Sequence, residues 1–314
     1  MMFVGLDIGG SKSLCIAATE REVLSRIEGP GSNLHQEGIS ATTRQILHLV
    51  TRSLRSKPVR VGDVHAAVCI AGLDTELSRQ SLLLALNQAE PAIVWQPEND
   101  AVGAWKGAFG NRSAGVIAIA GTGAAAYARR GDRQARAGGW GALLGDVGSG
   151  YSLGRAALIA VLREQDGLGA QTSLTRSILA ELGIGRAAEI VDLVHFRMTP
   201  FDIAALAPGV LTEAAAGDAE ACRIVDEAAS ALVETAKAAA RSVSPDGSSI
   251  PFALIGGVSR SDYYRERLRS FVEKFPDRLE WHRPEAPPVV GALHLAMEST
   301  GLSPENLHWP SDQA

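Results

Sequence analysis

At its start the chain alternates apolar stretches with glycine breaks. Residues 2–8 (MFVGLDI) are apolar and extended, and after Gly9-Gly10 the stretches SLCIAATE and EVLSRIE again favour strands. A meander of three strands is predicted. A helix over 38–55, a strand HAAVCIAG, a helix over 76–88, a short strand AIVWQ and a helix over 100–109 follow. Strands alternating with helices after a meander indicate a mixed α/β sheet. The pattern then restarts. GVIAIAGTGAAAYARR has the grammar of FVGLDIGGSKSLCIAATE, an apolar strand, a Gly-rich reversal and a second strand, which implies two related domains. Past a Gly-rich segment at 138–150 the chain turns helical and Ala-rich over 152–242. A strand FALIGG, a helix over 262–274 and a last helix over 289–299 close it.

The first reversal, VGLDIGGSKS, nearly matches a Walker phosphate loop: Gly5 and Gly10 are correctly spaced, but Ser11 stands where the lysine belongs. In a Walker loop the turn leads into a helix whose N-terminal amides hold phosphate, whereas here it leads into another strand. Asp7 inside the loop would repel phosphate unless a cation intervened. The stretch therefore reads as a strand-to-strand reversal whose backbone amides meet phosphate, with Asp7 holding Mg²⁺ directly or through water. The alternative is a hairpin whose Asp merely bonds the turn. IAGTG, with Thr122 and Gly123, supplies a second reversal of the same kind and favours the phosphate reading.

Bulk properties narrow the partners. The 314 residues suffice for two domains, and a formal net charge of -5 speaks against a nucleic-acid binder. The basic run RSKPVR reads as solvated surface. No apolar run reaches the roughly 18 residues of a membrane helix. Cys15, Cys69 and Cys222 are far apart and read as core thiols of a reducing compartment, so the protein is expected in the cytoplasm. GYSLG at 150–154 matches the GxSxG nucleophile elbow, which would make Ser152 a nucleophile with Asp192 and His195 or His282 downstream. That elbow requires a preceding strand, and GALLGDVGS is broken by glycines.

The set GLDIGGSKS, PENDAVGA, IAGTGAAA, GGWGALLGDVGSGYSLG and ALIGGV, in this order, resembles the N-acetylglucosamine kinase branch of the actin-like ATPase superfamily, grouped with the BadF/BadG/BcrA/BcrD ATPases. The resemblance spans residues 3–298. It implies an α/β fold of two actin-like ATPase (ribonuclease H-like) domains with a cleft between them, residues 1–110 plus the C-terminal helix 289–300 forming one and 111–288 the other. It implies ATP and Mg²⁺ as cofactors and a sugar as substrate, N-acetylglucosamine giving the 6-phosphate first and glucosamine second. A homodimer is common among such kinases.

By this resemblance Asp100 is the general base that takes the proton of the attacking hydroxyl, although capping of the helix it opens would also explain an acid there. Gly139, Trp140, Gly141 and Asp146 contact the amino sugar, and Asn33 reaches its hydroxyls. Gly9, Gly10, Ser11, Thr122 and Gly123 meet phosphate, and Gly256 and Gly257 let the adenine approach the backbone. The metal residue is Asp7, and Lys12 is peripheral. Two departures stand out. Val147 occupies a position where many relatives have Glu, and Ala124 replaces a common Ser, leaving its backbone amide as the phosphate contact. Two rival activities share these loops: an ATPase activator of 2-hydroxyacyl-CoA dehydratases, which needs a cysteine set for an iron-sulfur cluster, and a sugar-sensing regulator.

Overall fold

The computed structural model describes residues 1–54, 62–274 and 279–303. The basic run at 55–60 lies outside them. The chain forms two compact units, one of Met1–Arg112 with the segment from Pro284 onward, the other of Ser113–Arg283.

In the first unit the meander is β1 (Met2–Ile8), β2 (Lys12–Thr19) and β3 (Val23–Pro30). It is followed by α1 (Leu34–Leu54), β4 (Val64–Ile70), α2 (Glu76–Ala89), β5 (Ile93–Asn99) and α3 (Asp100–Phe109). The sheet order is β3-β2-β1-β4-β5, antiparallel within the meander and parallel from β1 through β4 to β5. Helix α1 begins before its predicted start because Asn33 Oδ1 accepts the His35 amide at 2.9 Å. Gly38, at φ 74, then breaks the helical geometry, which hid that first turn from the periodicity.

Both faces of this sheet are covered. Val4, Leu6 and Ile8 pack with Ile46 and Leu49 of α1 and Leu82 and Leu86 of α2. On the opposite face Phe3, Leu14 and Ile16 meet Val289, Leu293 and Met297 of the last helix, Pro288–Glu298. A Cβ on Gly5 would fall 2.6 Å from Leu293 Cα, so this Walker-spaced glycine serves helix packing rather than phosphate. Buried Lys106 of α3 pairs with Glu298 and donates to Asn111 Oδ1 at 3.2 Å, tying the last helix down.

The second unit contains β6 (Ala114–Ala120), β7 (Ala124–Arg130), β8 (Arg133–Gly138), α4 (Gly150–Gln165), α5 (Leu174–Leu182), α6 (Glu189–Phe196), α7 (Pro200–Ala204), α8 (Ala207–Ala215) and α9 (Ala219–Val243). It closes with β9 (Ile250–Ile255), α10 (Asp262–Glu273) and β10 (Leu279–Trp281), and the last helix of the first unit is thus α11. Its sheet order is β10-β9-β6-β7-β8, with the same pattern of antiparallel and parallel pairs as the first. The duplication therefore extends from the strand-Gly-strand unit to all five strands. Each unit has the α/β architecture expected of an actin-like ATPase domain. The Ala-rich segment is a helical insertion between β8 and β9, and the small side chains Ala118, Ala126, Ala229 and Ala236 bury together where α9 crosses the sheet. Among the described residues no helix is long and apolar enough to cross a membrane.

Candidate active site

Strands β1, β3, β4 and β5 run in one direction, so the loops after them share one edge of the first sheet, where parallel α/β sheets place ligands. Asp7 lies at the end of β1, Gly9-Gly10-Ser11 follow it, Asn33 follows β3, and Asp100 follows β5. These chain-distant residues form one constellation. Gly31 is pressed against the reversal: a Cβ there would lie 2.5 Å from Ser11 C, and the Ser32 amide donates to Gly9 O at 3.0 Å. Gly10 and Ser11 are themselves exposed, as amides offered to a phosphate must be.

Two carboxylates meet here. Burial, followed by the charge of Asp100, pushes the Asp7 carboxyl up to about 7, against a smaller opposing pull from Lys12. Lys12 itself is exposed at the start of β2. Asn99 caps α3, its Oδ1 accepting the Ala101 amide at 3.0 Å, so Asp100 is not needed as the cap. The Asp100 carboxylate also accepts from that amide at 2.9 Å, which orients it at the positive end of the helix. Because Asn33 Oδ1 is engaged with His35, the group Asn33 can offer a sugar is its NH₂ donor.

Sequence reasoning overlooked His35 and Asp74. Asp74 accepts from Asn99 Nδ2 at 3.0 Å and pairs with His35 Nε2 at 3.0 Å, joining the Asn33 turn to the turn that presents Asp100. Asp74 follows β4 on the same sheet edge as Asp100, and this placement was the signal available for it.

In the second unit the loop after β8 carries Gly139, Trp140, Gly141 and Asp146. Trp140 is 72 % exposed, which rules out a role as core anchor and leaves its face available as a wall for a ring. Arg136, also overlooked, donates to the carbonyls of Gly138 and Gly139 and lies over the Trp140 ring at 5.9 Å. The Asp146 carboxyl is raised by burial, against the backbone amides of Ala124 and Gly141 and the charge of Arg136, which favour its ionised form. The Ala124 amide, expected at phosphate, also faces Asp146. Thr122 O accepts the Tyr151 amide at 3.2 Å, and a Cβ on Gly123 would sit 2.7 Å from Asp146 Oδ2. Gly256, at φ 103, is required by its own fold, since a Cβ would lie 2.6 Å from Ala120 C, whereas Gly257 faces open space. Val147 is exposed and lines a surface pocket with Leu143, Leu144, Tyr151 and Arg155.

The hydrolase reading fails on geometry. Ser152 lies in the first turn of α4, its Oγ donating to Ser149 O at 2.9 Å, and no strand precedes it. Cys15 and Cys69 are buried in the first unit and Cys222 lies in the second, on α9. The segment LTEAAAGD is an ordinary helix junction, with Asp218 capping α9 and bonding Thr172 and Ser173.

The profile of the BadF/BadG/BcrA/BcrD ATPase family matches residues 4–296. An N-acetyl-D-glucosamine kinase of Dictyostelium discoideum is 29% identical over 95% of this chain and 98% of its own. An N-acetylmuramic acid/N-acetylglucosamine kinase of Clostridium acetobutylicum is 30% identical over 86% of this chain and 89% of its own. Among solved structures, a candidate N-acetylglucosamine kinase from Chromobacterium violaceum superposes with a TM-score of 0.76 at 27% identity, covering 94% of this chain and 98% of that one.

Proposed function

Because the chain belongs to the BadF/BadG/BcrA/BcrD ATPase family, we propose that it is an ATP-dependent amino-sugar kinase that phosphorylates N-acetylglucosamine on its 6-hydroxyl, with glucosamine second. The observation that supports this most directly is the convergence of Asp7 and Asp100 beside an amide-rich reversal and Asn33.

Phosphoryl transfer to a hydroxyl needs the oxygen in line, its proton removed and the phosphate charge screened. Asp100 takes the hydroxyl proton as the oxygen bonds to the γ-phosphorus and the bond to ADP breaks. Asn33 donates to a sugar hydroxyl, and the amides at Gly9 to Ser11 receive phosphate oxygens. Asp7 fits Mg²⁺: a neighbouring carboxylate and burial hold it near neutrality, and a cation is what allows both acids to ionise together. Among the described residues no group of three or more His, Cys, Asp or Glu forms a metal cage. This suits an ion bound through one or two carboxylates, with water and substrate phosphates completing its shell. When bound, the ion screens charge on the phosphate oxygens.

A coupled ADP-release assay over N-acetylglucosamine, glucosamine, N-acetylmuramic acid and glucose tests the proposal. Release stimulated most by N-acetylglucosamine is expected; no stimulation by any sugar would sink it.

A further inference from the structure

The reversal at 121–123 and the loop at 139–147 meet at one side chain. Among the described residues Asp146 is the only non-glycine with a positive φ, 58°. Asp adopts this left-handed geometry less readily than Gly, so something holds it there. Its carboxylate lies close to the Ala124 amide at the end of the reversal and the Gly141 amide of its own loop, and both amides favour its charged form. A Cβ on Gly123 would lie 2.7 Å from Oδ2, so the glycine makes room for the carboxylate. Burial pushes the carboxyl above its ordinary range, and the two amides and Arg136 act against that. The same segment secures the other side of the reversal: Gly150 donates to Gly121 O at 2.8 Å and Tyr151 to Thr122 O at 3.2 Å.

We infer that Asp146 is a positioning residue for the second phosphate reversal, so that nucleotide affinity depends on it even when no sugar is present. A residue serving the sugar alone would not need its carboxylate set against the reversal, where only a glycine at 123 leaves it room. The inference rests on the reading of 121–123 as a phosphate contact, and it is independent of which sugar, if any, is the substrate.

The test is ADP binding to the full chain without sugar, by calorimetry, in wild type, Asp146→Asn and Gly123→Ala, with thermal unfolding run alongside. Asparagine keeps one acceptor oxygen but turns an NH₂ toward the other amide, so ADP is expected to bind about tenfold more weakly. Gly123→Ala keeps the acid but pushes it aside, and weakening in the same direction by about threefold is expected. It carries the test alone should Asp146→Asn not fold. Unchanged or tighter ADP binding in a folded variant overturns the inference, and a rise confined to the sugar KM would return Asp146 to a sugar contact only. A wild type that binds ADP but phosphorylates no amino sugar would remove the proposed function while leaving this inference standing.

Discussion

Two residues before the first glycine of each reversal stands Asp7 in the first unit and Ile119 in the second. After the outermost parallel strand the first unit starts α3 with Asp100, whereas after β10 the chain runs through His282, whose amide donates to Phe252 O at 2.7 Å. The strand order is the same in both, yet the positions of Asp7 and Asp100 hold no acid in the second unit. The supports differ too. The first reversal is braced by backbone, with Gly31 packed on it, whereas the second adds to its backbone bonds a carboxylate held in a left-handed conformation. Topology thus supplies two equivalent edges, and side chains at a few loop positions divide the work between them.

If the acid edge carries the chemistry, Asp100→Asn gives the largest effect: kcat should fall about 10²- to 10⁴-fold with the sugar KM little changed. Wild-type turnover in that variant would break the contrast at its centre. Next comes Gly31→Ala. Its new methyl meets backbone that cannot step aside, so the ATP KM should rise about tenfold, more than for Gly123→Ala, whose obstacle is a side chain. Equal effects in steady-state kinetics would remove the distinction between a backbone brace and a carboxylate brace.

Asp7→Asn should sacrifice activity and gain stability. The folded-state value of about 7 lies above the ordinary 3.8, so between these values the folded protein holds a proton that the unfolded chain has released. Stability therefore falls as pH rises through that window, and the full penalty applies above pH 7. It is at most about 4 kcal/mol, and the partial exposure of Asp7 brings the expected gain to about 2 kcal/mol. Urea unfolding at pH 8 should show that gain, and at pH 4 most of it should vanish. Asp146 of the second edge should show the same sign, since burial raises its carboxyl too, with the Ala124 and Gly141 amides and Arg136 acting against it. The smallest effect is expected of Asp74→Ala. Asn99 keeps its bond to Leu73 O at 3.3 Å, so a stability loss of about 1 kcal/mol is expected in the same assay.

The strands flanking both reversals were legible because apolar runs broken by glycine leave little else for the chain to do. β8 was not: RQARAG carries three polar residues in six and buries none of them fully, so it lacks the apolar signal of its neighbours. β10, at three residues, is too short for periodicity to register. Asp7 could be selected from its loop and Asp100 through the family resemblance, but their mutual influence could not, because it depends on β1 and β5 flanking β4. The pairing of Asp146 with Gly123 was similarly hidden. It arises from a backbone conformation that an Asp rarely adopts and from a contact between loops separated by two strands.

The return of α11 to the first unit has a consequence during synthesis. Phe3, Leu14 and Ile16 present an apolar face whose cover, Val289 to Met297, leaves the ribosome only after the whole Ser113–Arg283 segment. At about 5–20 residues per second that delay is on the order of ten to thirty seconds. For that interval the nascent first unit is a sheet with one wall missing, and the second unit can fold first although it is made later.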